Sequence, residues 1–196
     1  MLKKIRFIAY CLCLSPNFIN AQNLQWAKTA GSAMADIGLS IAVDQSGNVY
    51  TTGYFEGIVD FDYGANVYNL YPSGGYDVFV TKMDAAGNLL WAKNVGGGQD
   101  EEGHGIAVDN SGNVYVIGIF NGMADFDPNA GVANLSVVGP TDDIFVLKLD
   151  QNGDYLWAKG FGNYGSDVGS SIAVDANNNV CFTGYFNWVV DFNPNA

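Results

Sequence analysis

The sequence predicts an all-β protein: a β-propeller fragment of four-stranded antiparallel blades, two of them complete, with partial blades at each end. Three observations predict it. One stretch is written three times, at Ser40–Phe55, Gly105–Phe120 and Ser171–Phe186. Each copy reads as strand, tight turn, strand. The strands that follow the turns are apolar on both faces, as strands are when covered from both sides. A unit that repeats at a fixed period, and cannot bury its faces alone, is the mark of a solenoid or propeller.

The markers give the period. Trp26-Ala27-Lys28 recurs as Trp91-Ala92-Lys93 and Trp157-Ala158-Lys159. Val59-Asp60-Phe61-Asp62 recurs at Ala124–Asp127 and again at Val189–Asn193. Asp77–Asp84 recurs once, at Asp143–Asp150. The offset from first to second copy is 65 through the Asp-Phe-Asp segment and 66 from Asp77/Asp143 onward. One inserted residue therefore lies between that segment and the next strand. A loop tolerates it, whereas a one-residue slip in a paired strand reverses every side chain.

Each element follows in order. Leu24 to Lys28 is expected as a short strand, and Leu39 to Val43 as the next. Asp44-Gln45-Ser46-Gly47-Asn48 then turns the chain: Asp bonds the backbone that follows it and Gly accepts positive φ. Asp109–Asn113 and Asp175–Asn179 repeat the turn, with Asn178 in place of Gly. In the return strand, Val114, Val116 and Phe120 point one way and Tyr115, Ile117 and Ile119 the other. The strand Asp143–Asp150, the turn Asp150–Asp154 and the strand Tyr155–Lys159 complete a four-stranded blade. Residues 121–141 are a long excursion between its second and third strands. The third copy stops after its second strand, and Leu24–Lys28 matches the fourth strand of an incomplete copy. Exposed apolar faces at both ends predict self-association.

The combination Gly-x-Gly-Ile-Ala-Val-Asp-x-Ser-Gly-Asn-Val-Tyr-Val-x-Gly, then Asp-x-Phe-Val-x-Lys-Leu-Asp and Leu-x-Trp-Ala, resembles the bacterial SBBP β-propeller repeat. The resemblance covers essentially all of residues 22–196. It implies a secreted or surface protein of Bacteroidetes-like bacteria, often carrying a C-terminal sorting module, and it brings no catalytic residues.

Residues 1–21 read as a signal peptide, leaving 22–196 as the repeat domain. Lys3, Lys4 and Arg6 precede the apolar run Phe7–Leu14, and Ala21 is a small residue at the cleavage point; the run is too short to span a membrane. Beyond it, five lysines and no arginine face 20 acidic residues, a formal charge of −15. Such a surface repels nucleic acid and anionic membranes. Only Cys181 remains there, so no disulfide framework exists. It aligns with Tyr50 and Tyr115 and is expected as a buried free thiol.

The Asp-Phe-Asp segments carry the most suggestive chemistry. Oxygen side chains at alternate positions suit calcium, which makes Asp60, Asp62, Asp125, Asp127 and Asn129 the candidate metal ligands. The competing reading is an Asx turn leading out of the blade. No cofactor is demanded, and calcium is the one candidate ion. Asp36, Glu101 and Asp167 recur in register and are expected to accept backbone N–H bonds between blades. Glu101, Glu102 and His104 form the only loop with acid–base potential. The tryptophans of Trp-Ala-Lys are expected in inter-blade packing. Trp188 does not recur, and its alternatives are edge packing or a sugar-stacking platform. The expected function is a secreted, non-catalytic scaffold that binds a protein or polysaccharide. The rivals are a lectin-like module and a polysaccharide-active propeller enzyme.

Overall fold

The structure is a computed structural model that describes residues 24–193. The signal peptide expected at 1–21 lies outside the described residues. The first blade comprises β1 (Asp36–Val43), β2 (Val49–Phe55), the short pair β3 (Val59–Asp60) and β4 (Asn69–Leu70), β5 (Asp77–Met83) and β6 (Leu89–Gly97). The second repeats the plan with β7 (Glu101–Val108), β8 (Val114–Phe120), β9 (Met123–Asp125), β10 (Asn134–Ser136), β11 (Asp143–Leu149) and β12 (Tyr155–Phe161). The third repeat contributes β13 (Val168–Val174) and β14 (Val180–Tyr185). The blade strands pair antiparallel in the orders β1-β2-β5-β6 and β7-β8-β11-β12. The first strands β1, β7 and β13 lie side by side. That is the radial arrangement of propeller blades.

Five turns close the hairpins with one chemistry. In Asp109–Asn113, Asp109 Oδ1 accepts the amides of Ser111 and Asn113, and Oδ2 accepts Asn113 Nδ2. Gly112 sits at φ +81°, a region closed to most side chains. The same turn recurs at Asp44, Asp84, Asp150 and Asp175, and Asn178 takes the glycine position at φ +64°. Gly118, opposite the bulge of β7, has a different reason to be glycine. A Cβ there would lie 1.8 Å from the Glu102 carbonyl oxygen.

The core lies between blades. Tyr50, Val80, Trp91 and Val95 of the first blade pack against Val114, Val116, Phe145, Leu147 and Leu149 of the second. The other face of β8 presents Tyr115 and Ile117 to Ile172 of the third repeat. This is the two-faced pattern read from the sequence. Phe126 wedges onto Phe120 and Phe145 at ring separations of 5.5 and 4.9 Å. Phe61 repeats the wedge on Phe55 and Phe79.

The structure departs from expectation in three places. Leu24–Lys28 is not a strand. Its Trp26 nevertheless keeps the repeat's role, with the indole N–H donating to Ala85 O at 3.1 Å. Cys181 is exposed, not buried. Tyr50 and Tyr115 are covered by the repeat that follows theirs and by Trp91 and Trp157 of their own fourth strands, and among the described residues Cys181 has neither cover. The excursion of the second blade is a hairpin, β9–β10, and β9 pairs with β6 of the first blade. The inserted residue falls after β10, in the loop before β11.

Phe126→Ala should lower stability by roughly 3–5 kcal/mol, the range for emptying a buried aromatic site. Denaturant unfolding reads it. A loss below about 1 kcal/mol would show that the Asp-Phe-Asp segment is not part of the core.

Candidate functional site

The junction between blades gathers the titratable groups. Asp36, Glu101 and Asp167 each accept an N–H from the residue four positions earlier: Ser32, Gly97 and Asn163. Asp167 also accepts the Asn187 amide at 2.8 Å. Main-chain bonds run beside them, from Glu101 N to Tyr76 O at 2.7 Å and from Asp167 N to Asp142 O at 2.9 Å. The structural role expected for these acids is the one observed.

The sequence did not single out their neighbours, Asp77 and Asp143. Both are buried at the start of a third strand. Asp77 accepts the Ser73 amide and Asn94 Nδ2, and Asp143 accepts the Val138 amide. Burial pushes Asp77 up to about 6 and Asp143 up to about 6. It pushes Glu101 up to about 7, and the charge of Asp77 adds to the shift. Glu101 Oε1 and Asp143 Oδ1 have no hydrogen-bond partner among the described residues, which adds to the cost of the charged form. The signal available in the sequence was the register of Asp77 with Asp143.

Glu102 and His104 do come together. His104 Nε2 lies 3.0 Å from Glu102 Oε2, and Nδ1 lies 2.9 Å from Gly169 O on β13. Both partners only accept, so with both bonds made the ring is an imidazolium. The Glu102 bond, above all, holds the His104 pKa above its ordinary value.

The Asp-Phe-Asp oxygens are engaged locally. Asp125 Oδ1 accepts the amides of Asp127 and Ala133, and Asp127 Oδ1 accepts that of Asn129. Asp60 Oδ1 accepts Asp62 N and Tyr68 N, and Asp62 Oδ1 accepts Gly64 N. Asn129 turns to Lys93 and Asp154. Among the described residues, no three His, Cys, Asp or Glu side chains gather as a metal cage.

The tryptophans bind blade to blade. Trp91 Nε1 donates to Gln151 O of the next blade at 3.1 Å, and its ring meets Tyr50 edge-on at 6.3 Å. Trp157 repeats the contact with Tyr115. At the third repeat a largely apolar cleft stays open, lined by Val146, Trp157, Lys159, Phe161, Val180 and Phe182. Trp188 is exposed.

Fold and junctions together define an array of β-propeller blades held by contacts between neighbours. Two segments, residues 25–54 and 90–118, match the family model described as Beta-propeller repeat, SBBP. Each match runs from the Trp-Ala-Lys segment into the hairpin of the next blade, so the repeat as that model counts it straddles two blades. The chain is 30% identical over 156 residues to an uncharacterized WD repeat-containing protein, L264, of Acanthamoeba polyphaga mimivirus, covering 76% of this chain and 11% of that protein. It is 30% identical over 158 residues to the regulatory protein FlaEY of Caulobacter vibrioides, covering 80% of this chain and 16% of that one. The chain thus spans a small part of the length of these relatives. No described helix is long and apolar enough to cross a membrane.

The pKa shifts give stability a sign. Asp77, Glu101 and Asp143 hold protons more tightly folded than unfolded, so their contribution is present below pH about 4 and is lost as pH rises through 6 to 7. His104 acts in the same direction, its contribution fading as pH rises above its ordinary 6.5. The turn aspartates oppose this at the acid end. Burial raises Asp44 and Asp109, but their hydrogen bonds together outweigh it and hold both below 3.8, so acid below that value removes their contribution. Melting temperature should therefore be highest near pH 4–5 and fall toward pH 8. Glu101→Gln should flatten the decline. A melting temperature that rises from pH 5 to pH 8 would contradict the assignment.

Proposed function

We propose that the chain is a non-catalytic interaction scaffold that works outside the cell, a set of rigid blades displaying loops to a partner. Recurrence carries this reading. The most perturbed acids occupy equivalent junctions in successive repeats and are bonded to backbone, whereas a catalytic centre needs a group that differs from blade to blade. Binding residues commonly lie on loops positioned by a rigid framework. The basic start, apolar run and Ala21 support export, and the names of the relatives, one a WD repeat-containing protein and one a regulatory protein, are compatible with binding.

An acid–base enzyme acting on polysaccharide would draw on Glu102 and His104. Both nitrogens of His104 already face acceptors within the protein, which leaves neither free for substrate. A panel of polysaccharides incubated with the chain should show no release of reducing ends above blank. Release that disappears in Glu102→Gln would overturn the scaffold reading.

The Asp-Phe-Asp loops serve this scaffold as turns. Asp125→Asn keeps the Oδ1 acceptor and should preserve stability in EDTA; Asp125→Ala should lower it by about 1–3 kcal/mol, since two amides lose a partner. Calorimetry at millimolar calcium should show no heat. Heat that is abolished by Asp125→Ala with Asp127→Ala would instead establish a weak calcium site of the 10⁻⁴–10⁻³ M class, about what extracellular modules show.

A further inference from the structure

We propose that the surface between the second and third repeats is a binding subsite for neutral pyranose polymers, with Trp188 and Tyr164 as its aromatic faces. The observation is an exchange of side chains between two touching positions. In the first repeat, Gly57 faces Met34, and a Cβ on it would lie 3.2 Å from the Met34 sulfur. In the second, Gly122 faces Gln99 in the same way, at 3.2 Å from Cγ. The third repeat reverses the pair. Trp188 stands at the position of Gly57 and Gly122, and Gly165 at that of Met34 and Gln99. A Cβ on Gly165 would come within 2.7 Å of the indole Cδ1.

The exchange is unfavourable for the backbone. Gly57 and Gly122 sit at φ +76° and +64°, and Trp188 is held at +62°. Glycine adopts that region freely and tryptophan does not. Burial does not offset the strain, because Trp188 is 81% exposed. Strain at an exposed residue, where sister repeats avoid it, points to use of the side chain. Tyr164, beside Gly165, is 72% exposed, and its counterparts are Ala33 and Gly98. Two aromatic residues thus appear together at one junction and at neither equivalent.

Their setting is fixed and polar. Asn187 Nδ2 donates to Ser166 O at 2.6 Å, Asn163 Nδ2 donates to Val189 O, and Thr141 Oγ1 donates to Tyr164 O at 3.3 Å. Among the described residues nothing hydrogen-bonds the Tyr164 hydroxyl, the Ser166 hydroxyl or Asn187 Oδ1. A pyranose offers a C–H face to a ring and hydroxyls to such atoms, and Trp and Tyr give rigid contact area at small entropy cost. The open surface suits a polymer lying across it. The chain's formal charge of −12, with Asp142 bonded through its carbonyl to Asp167 N at this junction and Asp191 just after Trp188, disfavours uronates and sulfated glycans.

The proposal deepens the scaffold reading by naming a ligand class. The test titrates the chain and its variants with cello-, xylo- and manno-hexaose, with hexagalacturonate as the anionic comparison, by isothermal calorimetry, which reads every variant alike. At least one neutral hexaose should give heat that saturates with a Kd on the order of 1 mM or tighter. Trp188→Gly should weaken that binding at least roughly tenfold while leaving the melting temperature unchanged or higher, since glycine relieves the φ strain. Tyr164→Ala should weaken it as well. No response from any neutral hexaose at about 10 mM, equal binding by Trp188→Gly, or tighter binding of hexagalacturonate would overturn the subsite. None of these outcomes bears on the scaffold reading, which fails only on turnover.

Discussion

A sheet that is apolar on both faces has to be covered twice, and a single blade covers neither face. This constraint shapes the rest of the molecule. Val114 and Val116 on β8 need the first blade, and Tyr115 and Ile117 on the same strand need the third repeat. The tight turns, the bulges opposite Gly53, Gly118 and Gly184, and the tryptophans all act to present flat, equivalent faces at a fixed spacing. Each indole of the first two Trp-Ala-Lys segments ends on the turn of the blade ahead, Trp26 on Ala85 O and Trp91 on Gln151 O. The β9–β10 hairpin of the second blade pairs with β6 of the first. Packing and main-chain pairing thus fasten the same junction.

The junction also concentrates charge. Third strands begin with a buried aspartate, and the following blade begins with a buried or half-buried acid beside it. Burying carboxyls there disfavours their charged forms, and Asp77, Glu101 and Asp143 are all held above their ordinary range by it. The arrangement recurs at Asp77/Glu101 and Asp143/Asp167, which marks it as part of the repeat's construction. The resulting fold is rigid where blades meet and varied where loops leave them, and variation among the repeats is where ligand recognition is to be sought.

Much of the fold was legible in the sequence because its determinants are local. Asp109, Gly112 and Asn113 specify their turn within five residues, and the alternation in Val114–Phe120 reports two buried faces directly. The recurrence of Asp36, Glu101 and Asp167 was enough to assign them to backbone. What stayed hidden depends on neighbours. Cys181 aligns with two buried tyrosines, but burial belongs to the strands that cover a position and not to the position itself. Trp26 keeps its contact without a strand beneath it, since one indole and one turn carbonyl suffice. The partner of β9 lies in another blade, and no local pattern names it. The Asp-Phe-Asp oxygens alternate along the sequence, and only the fold shows that Oδ1 of Asp60 and of Asp125 accepts amides as far as eight residues on. Trp188 was visible as an irregularity; its exchange with Gly165 required the contact between two loops.

The central claim is that stability resides between blades and is shared by them. Native-state hydrogen exchange tests it most directly. Amides of β5, β8 and β11 should be the slowest and should exchange in one cooperative class, because each strand is paired on both edges and the core between the first two blades unfolds as a unit. Those of β14 should exchange faster, since among the described residues β13 is its one paired strand. Separate classes for the first and second blades, or protection of β14 equal to that of β8, would contradict the account.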